Sequence, residues 1–422
     1  MLSAKYEDII NEIGNNVPIA PEGVFEVRHG HRDKMIFKRP CPICAQNEVD
    51  LLADLNFARV DQFQYNPRAR LGSCRVCGLA YNEVADPAEL TRHYGRNPIA
   101  PLPIGEDEAL VRQVVGRHLA GAGGLWVDVG CGTGELLIDL KNNGFDDLLG
   151  LEVSPGKIEY VRSRNIRAEV FAGRTMPLND QTAGVISFRH VLEHVYQPED
   201  LLLEAHRALK EGGLIYLEVP DAGRYGASPA SDCFQWLCWG HVNHFDEVRL
   251  GLLLAGCGFE LIDSGRKLEK RMDDYPSVWV VGRRTRSAGR VRPPAPAAPD
   301  RDSLKAGLEE LIEKNFRRTA PLIKAIDKLA DDGVPVWLWA LSTNFMYFYG
   351  NSSLRRANIR GLIDSQPRYS GLTLDSRAIQ KPEALKSAAG DETVLLFSHR
   401  GQGGMKSYLR DMGFSGSVVV VA

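Results

Sequence analysis

Hydrophobic and polar positions along this chain change their period three times. Up to about residue 85 the pattern is irregular, with short β-like runs and no sustained helical repeat. From about 86 to 120, apolar residues recur at three- and four-residue steps in DPAELTRHY and EDEALVRQVVGRHLAGAG, which predicts helices. Seven short apolar runs then alternate with helical segments as far as 285: LWVDVG, LLGLEV, AEVFA, AGVISF, GLIYLEV, ELIDSG and VWVVGR. Such alternation predicts a parallel sheet covered on both faces. The Pro/Ala-rich stretch 286–300, RSAGRVRPPAPAAPD, predicts a linker. Beyond it, 301–332 has the pattern of an amphipathic helix interrupted or kinked at Pro321. Four further strand-like runs, VPVWLWAL, NIRGLIDS, TVLLFSH and SGSVVVVA, complete a second, smaller α/β unit. The expected division is therefore 1–85, 86–285, a linker at 286–300, and 301–422, with an α/β fold in the last two large parts.

The candidate chemistry begins after the first strand of the larger α/β unit. LWVDVG delivers Asp128 and then Gly130-Cys131-Gly132-Thr133-Gly134 into a helix. Glycine is required where backbone turns sharply and a ligand must approach without a Cβ in the way. A lone G-x-G is common to many nucleotide-binding loops. Two features narrow it: an acid stands two residues before the first glycine, and Glu152 closes the next strand, where a carboxylate can accept from both hydroxyls of a ribose.

With these residues in place, 120–285 resemble a class I S-adenosylmethionine (SAM)-dependent methyltransferase with a Rossmann-like fold. The run Phe188–Val195 resembles that family's HVLEHV segment after the fourth strand, and Gly256–Glu260 (GCGFE) resembles its late turn. The resemblance implies that Asp128, Gly130, Gly132 and Gly134 shape the methionine and ribose pocket and that Glu152 binds the ribose. Gly184 stands where many relatives carry Asp, and no adenine-contact acid is evident near Ala172–Arg174. His190-Val-Leu-Glu-His194 also fits H-x-x-E-H, a metallopeptidase pattern. Its place directly after an apolar strand of a SAM-type unit argues against a zincin helix, leaving a substrate-facing or a packing histidine.

Two C-x-x-C pairs precede this unit: Cys41-Pro-Ile-Cys44 and Cys74-Arg-Val-Cys77-Gly78, with 29 residues between them. Four thiolates satisfy tetrahedral Zn²⁺, and a glycine after the last cysteine permits a tight knuckle. The expectation is a structural zinc on Cys41, Cys44, Cys74 and Cys77; the bland alternative is four reduced, buried thiols.

On the substrate side, 238–245 (CWGHVNHF) follow an aromatic FQW stretch after the fifth strand. Deoxysugar C-methyltransferases carry a similar Y-x-E-H-x-S/N-Y-F segment, which His241, Asn243 and Phe245 match. Cys238, Gly240 and His244 replace its tyrosine, glutamate and second tyrosine. O- or N-methylation is therefore expected over C-methylation, with His241, His244 or His190 as general base, or with His241 and His244 only hydrogen-bonded within the fold. The three-part layout resembles nucleotide-sugar methyltransferases, and Asn351–Leu354 with Asn358–Ser365 resembles their C-terminal domain. A glycine-rich turn usual there is replaced by Trp339–Phe345, which carries no glycine.

Composition bounds these readings. The 422 residues are 44% hydrophobic and 25% charged, with net charge −3, a globular balance without the Lys/Arg concentration that polyanion binding needs. No apolar run approaches the roughly 20 residues of a membrane helix. The opening MLSAKYEDIINEIG lacks a basic-then-apolar signal, so a cytoplasmic enzyme with reduced cysteines is expected. The expected partner is a small-molecule acceptor, with no membrane and no nucleic acid. Alternatives are methylation of a non-sugar natural-product intermediate and, in another class, a zinc-ribbon protein that binds and modifies RNA.

Overall fold

The computed structural model describes residues 34–63, 67–83, 87–96, 99–119, 123–227, 234–238, 240–269, 275–286, 289, 291–398 and 401–421. Residues 1–33 of the expected first unit, Trp239 of the aromatic segment, and 287, 288 and 290 of the linker lie outside them.

The irregular N-terminal stretch builds a five-stranded antiparallel sheet: β1 (Lys34–Ile36), β2 (Glu48–Asn56), β3 (Arg68–Cys74), β4 (Ala80–Asn82), then β10 (Asn243–His244). The last strand comes from far along the chain, so this unit is not self-contained. Asn243 pairs with Tyr81 and His244 with Ala80. Each C-x-x-C pair sits on a turn, one between β1 and β2, the other where β3 passes into β4.

All seven expected strands of the central unit form: β5 (Leu125–Val129), β6 (Leu148–Glu152), β7 (Arg167–Val170), β8 (Ala183–Arg189), β9 (Leu209–Pro220), β11 (Phe259–Glu269) and β12 (Tyr275–Arg284). Their order is β11-β12-β9-β8-β5-β6-β7. One correction applies. The sheet is mixed, because β12 runs antiparallel to both β9 and β11. Only five residues separate β11 from β12, too few for the crossover that a parallel pair requires. Helices α1 (Pro87–Gly95), α2 (Glu106–Gly116), α3 (Glu135–Asn142), α4 (Pro155–Ser163), α5 (Pro198–Ala208) and α6 (Glu247–Gly256) accompany it.

The third unit opens on α7 (Ala298–Asp331), which begins inside the expected linker and continues through Pro321. Proline there removes one backbone donor without ending the helix, because residues on both sides, Leu308, Ile312, Leu322 and Ile326, are buried. The strands β13 (Pro335–Trp339), β14 (Asn358–Ile363), β17 (Thr393–Leu396) and β18 (Ser417–Val420) match the four expected runs. Two short strands, β15 (Thr373–Leu374) and β16 (Arg377–Gln380), extend the sheet. They are too brief to leave a period in the sequence. The helices α8 (Thr343–Asn351) and α9 (Gln402–Asp411) complete it.

One apolar cluster crosses all three units. Leu55 and Ala69 of the first, Tyr225 and Trp236 of the second, and Leu304, Leu308 and Phe345 of the third pack into it. No helix among the described residues is long and apolar enough to cross a membrane.

Candidate active site

Beyond Val129 the chain turns through three glycines with positive φ, 71° at Gly130, 56° at Gly132 and 82° at Gly134. This region costs other L-residues about 1 kcal/mol or more. A Cβ on Gly130 would lie 2.3 Å from Val191 Cγ2, whereas one on Gly132 would meet nothing. That open space belongs to a cavity of about 680 Å³ whose lining includes Gly130, Gly132 and Glu152 together with Tyr94, His190 and His194.

Glu152, at the end of β6, is buried. Its Oε2 accepts the Gly132 N–H at 3.0 Å and its Oε1 accepts the Ser154 N–H at 3.1 Å. Each oxygen has capacity for a further hydrogen bond, and Glu152 lines the cavity, as binding of a vicinal diol would need. Beside it, Lys157 and the Phe171–Arg174 loop form another wall. Asp128 and Gly134 stand behind the glycine loop and do not line the cavity. Asp128 accepts from Ser187 Oγ at 2.6 Å, which in turn accepts from Trp126 Nε1 at 3.1 Å. Burial pushes the Asp128 carboxyl up to about 7. Its influence on a ligand therefore runs through the loop it underpins.

The three histidines expected as bases do not converge. His244 is fully buried on β10, with Nδ1 3.3 Å from the Tyr225 hydroxyl. Burial, and then the nearby Arg39 charge, lower it to about 3, so it is neutral and enclosed, away from the cavity. His241 also lies off the cavity wall, its ring edge-on to His194 at 4.9 Å. Burial and the surrounding histidines hold it well below its ordinary value. His190 does line the cavity, with φ of 52°. Burial alone would lower its pKa, but Glu193, Glu218 and Glu269, at 3.5, 3.2 and 3.4 Å, outweigh that and hold the imidazole protonated. The expectation of His190 as base is corrected on this ground: an imidazolium donates and cannot accept a proton.

His194 is the histidine that the expected set left out. Its Nδ1 lies 2.8 Å from the Gly240 carbonyl and 2.7 Å from the Tyr94 hydroxyl. The carbonyl can only accept, so Nδ1 carries a proton, while Nε2 lies 3.7 Å from Glu193 Oε1. The loop that holds it is clamped from behind by Arg39, a buried residue of the first unit. Arg39 donates to the carbonyls of Asn82 (3.1 Å), Val242 (2.8 Å) and Tyr196 (2.6 Å) and to Asn243 Oδ1 (2.6 Å). Asn243 Nδ2 donates to the carbonyls of Leu192 and Val195, both at 2.8 Å. The 192–196 and 241–243 segments are thereby locked together. Neither Arg39 nor Tyr94 stands in a recognisable motif, and contacts that span 157 and 203 residues leave no local mark.

The cysteines do converge. Cys41, Cys44, Cys74 and Cys77 are buried with all four Sγ atoms within 4.8 Å of one another. The Cys41–Cys77 and Cys44–Cys74 sulfurs are each 3.4 Å apart, near the roughly 3.8 Å edge of a tetrahedron with Zn–S bonds of about 2.3 Å. Burial pushes the Cys41 thiol up, a cost that a divalent cation among the sulfurs would relieve. Gly78 has φ of 73°, and a Cβ there would lie 2.1 Å from the Arg301 carbonyl oxygen at the start of α7.

Residues 107–264 match the family model described as a methyltransferase domain. A probable S-adenosylmethionine-dependent methyltransferase of Mycolicibacterium smegmatis is 28% identical over 143 residues, 33% of this chain. The match spans about half, 52%, of that relative's length. An uncharacterised protein of Methanocaldococcus jannaschii is 27% identical over 165 residues, 39% of this chain and 77% of its own. Among solved structures, a SAM-dependent methyltransferase of Methanosarcina mazei superposes with a TM-score of 0.35 at 17% identity, covering 40% of this chain and 96% of its own. A geranyl diphosphate C-methyltransferase of Streptomyces coelicolor does so at 0.37 and 15% identity, covering 47% and 98%.

Proposed function

We propose that this chain, whose residues 107–264 form a class I SAM-dependent methyltransferase domain, methylates an oxygen or nitrogen of a sugar or nucleotide-linked sugar. The observation that supports this most is the single cavity that joins the glycine loop and Glu152 to the polar end at Tyr94, His190 and His194. Its volume, about 680 Å³, falls within the roughly 300–1,000 Å³ of pockets that enclose small ligands. SAM, when bound, supplies an electrophilic methyl group on a sulfonium.

In this reading Gly130 and Gly132 let the cofactor approach the backbone, Glu152 accepts from its ribose, and Lys157 and Phe171–Arg174 wall its base. The acceptor lies against Tyr94, the protonated His190 and His194, where Tyr94 and His190 donate. Holding both reactants in one enclosed site supplies most of the rate, because the entropic cost of alignment is met on binding. The sugar assignment rests on the resemblance of 238–245 and 351–365 to nucleotide-sugar methyltransferases. A structural Zn²⁺ on Cys41, Cys44, Cys74 and Cys77 belongs to the same reading, as does a cytoplasmic location.

The test is calorimetric. Glu152→Ala should weaken SAM binding by about 1.5–3 kcal/mol, the value of a lost charged hydrogen-bond partner. An unchanged Kd would remove Glu152 from the cofactor site. Mass-spectrometric transfer of labelled methyl to a panel of nucleotide sugars then tests the acceptor class, and transfer to none of them would overturn the sugar reading.

A further inference from the structure

Next to His194, which lines the cavity, the side chains of Glu193, His194 and His241 turn their donor atoms towards one another. Glu193 is buried, its Oε1 lies 3.7 Å from His194 Nε2, and its Oε2 has no partner among the described residues. His241 Nδ1 is likewise buried without a partner among them. One donor atom from each of Glu193, His194 and His241 falls within a 4.8 Å span. A buried carboxylate oxygen and a buried imidazole nitrogen that lack partners each carry a desolvation cost of about 1–3 kcal/mol.

We propose that Glu193, His194 and His241 form a binding site for a first-row divalent cation. The site is distinct from the four cysteines, and of its three residues His194 lines the cavity. Two imidazoles and a carboxylate are the donor set that Zn²⁺, Fe²⁺ and Co²⁺ favour, and three protein ligands leave a position for a ligand from the cavity. With bonds of about 2.0–2.2 Å, ligand atoms lie roughly 3–3.5 Å apart, so a side-chain adjustment of about 1 Å closes the set.

The surroundings are those of a held site. His194 donates its other ring nitrogen to the Gly240 carbonyl at 2.8 Å, the second hydrogen bond that fixes the tautomer of a metal-ligating histidine. The Val242 N–H donates to the Glu193 carbonyl at 2.7 Å, tying the two ligand-bearing segments together directly. His190 Nδ1 lies 3.5 Å from Glu193 Oε1, but Glu218 and Glu269 also hold that imidazolium, leaving Oε2 free for the cation.

A neighbouring cluster makes the contrast. His190, Glu218 and Glu269 also bring donor atoms together, but Lys267 Nζ sits 3.0 Å from Glu218 and 2.5 Å from Glu269. The ammonium already fills the cation's place there. No lysine or arginine ion pair reaches Glu193 among the described residues.

The inference rests on the reading that this end of the cavity receives the acceptor, and it names the chemistry of that end. An acceptor bearing a hydroxyl or amine would complete the cation's coordination, and His194 would serve as a ligand and not as a base.

The test uses the full chain with its cysteine-bound zinc, washed with EDTA and titrated with Co²⁺. One further Co²⁺ per chain should bind, with d–d absorption and without the near-ultraviolet thiolate charge-transfer band that cobalt in the cysteine site would give. Glu193→Gln and His241→Asn should each weaken that binding at least about tenfold, the lower bound set by loss of outer-shell partners alone. Both should retain wild-type SAM affinity, which reports that they are folded. Absence of the extra cobalt in a chain that binds SAM overturns the site, as does unaltered cobalt affinity in both variants. Cobalt uptake by a chain that fails to bind SAM would instead overturn the cofactor reading and leave the metal site standing.

Discussion

Arg39 offers the sharpest test of how the first unit serves the second. Its guanidinium is buried between the N-terminal sheet and the 192–196 segment, with four acceptors at 2.6–3.1 Å and the Tyr196 ring 4.6 Å away. Burial lowers its pKa to about 10, so it is charged at neutral pH. Hydrogen bonds from a charged donor are worth about 1.5–3 kcal/mol each. Against that stands the cost of burying the charge, several kcal/mol. Arg39→Met keeps much of the apolar volume, removes that cost, and strands three carbonyls and one amide oxygen.

The balance predicts a loss of about 3–5 kcal/mol, the range for breaking one side of a buried charged network. Urea unfolding followed by circular dichroism reads it, as a single transition, because the shared core couples the units. Arg39→Lys, which keeps the charge but not the planar fork, should fall between the two. SAM affinity should change less than about threefold, since the clamp reaches the acceptor end and not the glycine loop. A destabilisation of Arg39→Met below about 1 kcal/mol would refute the reasoning, and so would a loss of SAM binding with the acceptor end intact.

Other outcomes follow from the same geometry. Elemental analysis should find one EDTA-resistant zinc per chain, absent from Cys44→Ser; a metal-free, fully folded preparation would contradict the cysteine site. Asp128 titrates near 7 when folded and near 3.9 when unfolded, so its contribution is fully present below about 4 and is lost as pH rises to 7. Asp128→Asn should therefore remove a decline of up to about 4 kcal/mol over that window, and an unchanged stability profile would refute it. His190, held protonated by three carboxylates, should show an imidazolium signal by NMR at pH 7.5, and His190→Gln should not behave as loss of a base in the pH–rate profile.

The central sheet was legible in the sequence because each strand is a short apolar run set off by a helix, and because glycine loop and acid share one βα unit. The cysteine site was legible because C-x-x-C spacing is local. What escaped was non-local. β10 is two residues long and exists only through pairing with β4, so 238–245 read as a loop at the mouth of the site when two of its residues, Asn243 and His244, are sheet. That pairing is why His244 turned out enclosed. His190, His194 and His241 were all visible as histidines, but the protonation of His190 depends on Glu218 and Glu269, which lie 28 and 79 residues beyond it. The antiparallel β12 could have been inferred, since five residues cannot carry a crossover.

The placement of β10 also explains why a knuckle module is attached to a methyltransferase domain at all. A loop after the fifth strand would ordinarily be free to move, and ordering it would cost entropy. Here the loop contributes a strand to the module's sheet, and Asn243 and Arg39 fasten it to the segment after β8. Gly78, packed on the start of α7, ties the same module to the third unit. The module therefore acts as a bracket, and any metal among its cysteines would stabilise the acceptor end without touching the acceptor. Loss of that metal in Cys44→Ser should then raise KM for the acceptor before it affects SAM binding, measured by turnover against calorimetry on that variant. Parallel loss of both would mean that the bracket holds the whole domain and not one end of its cavity.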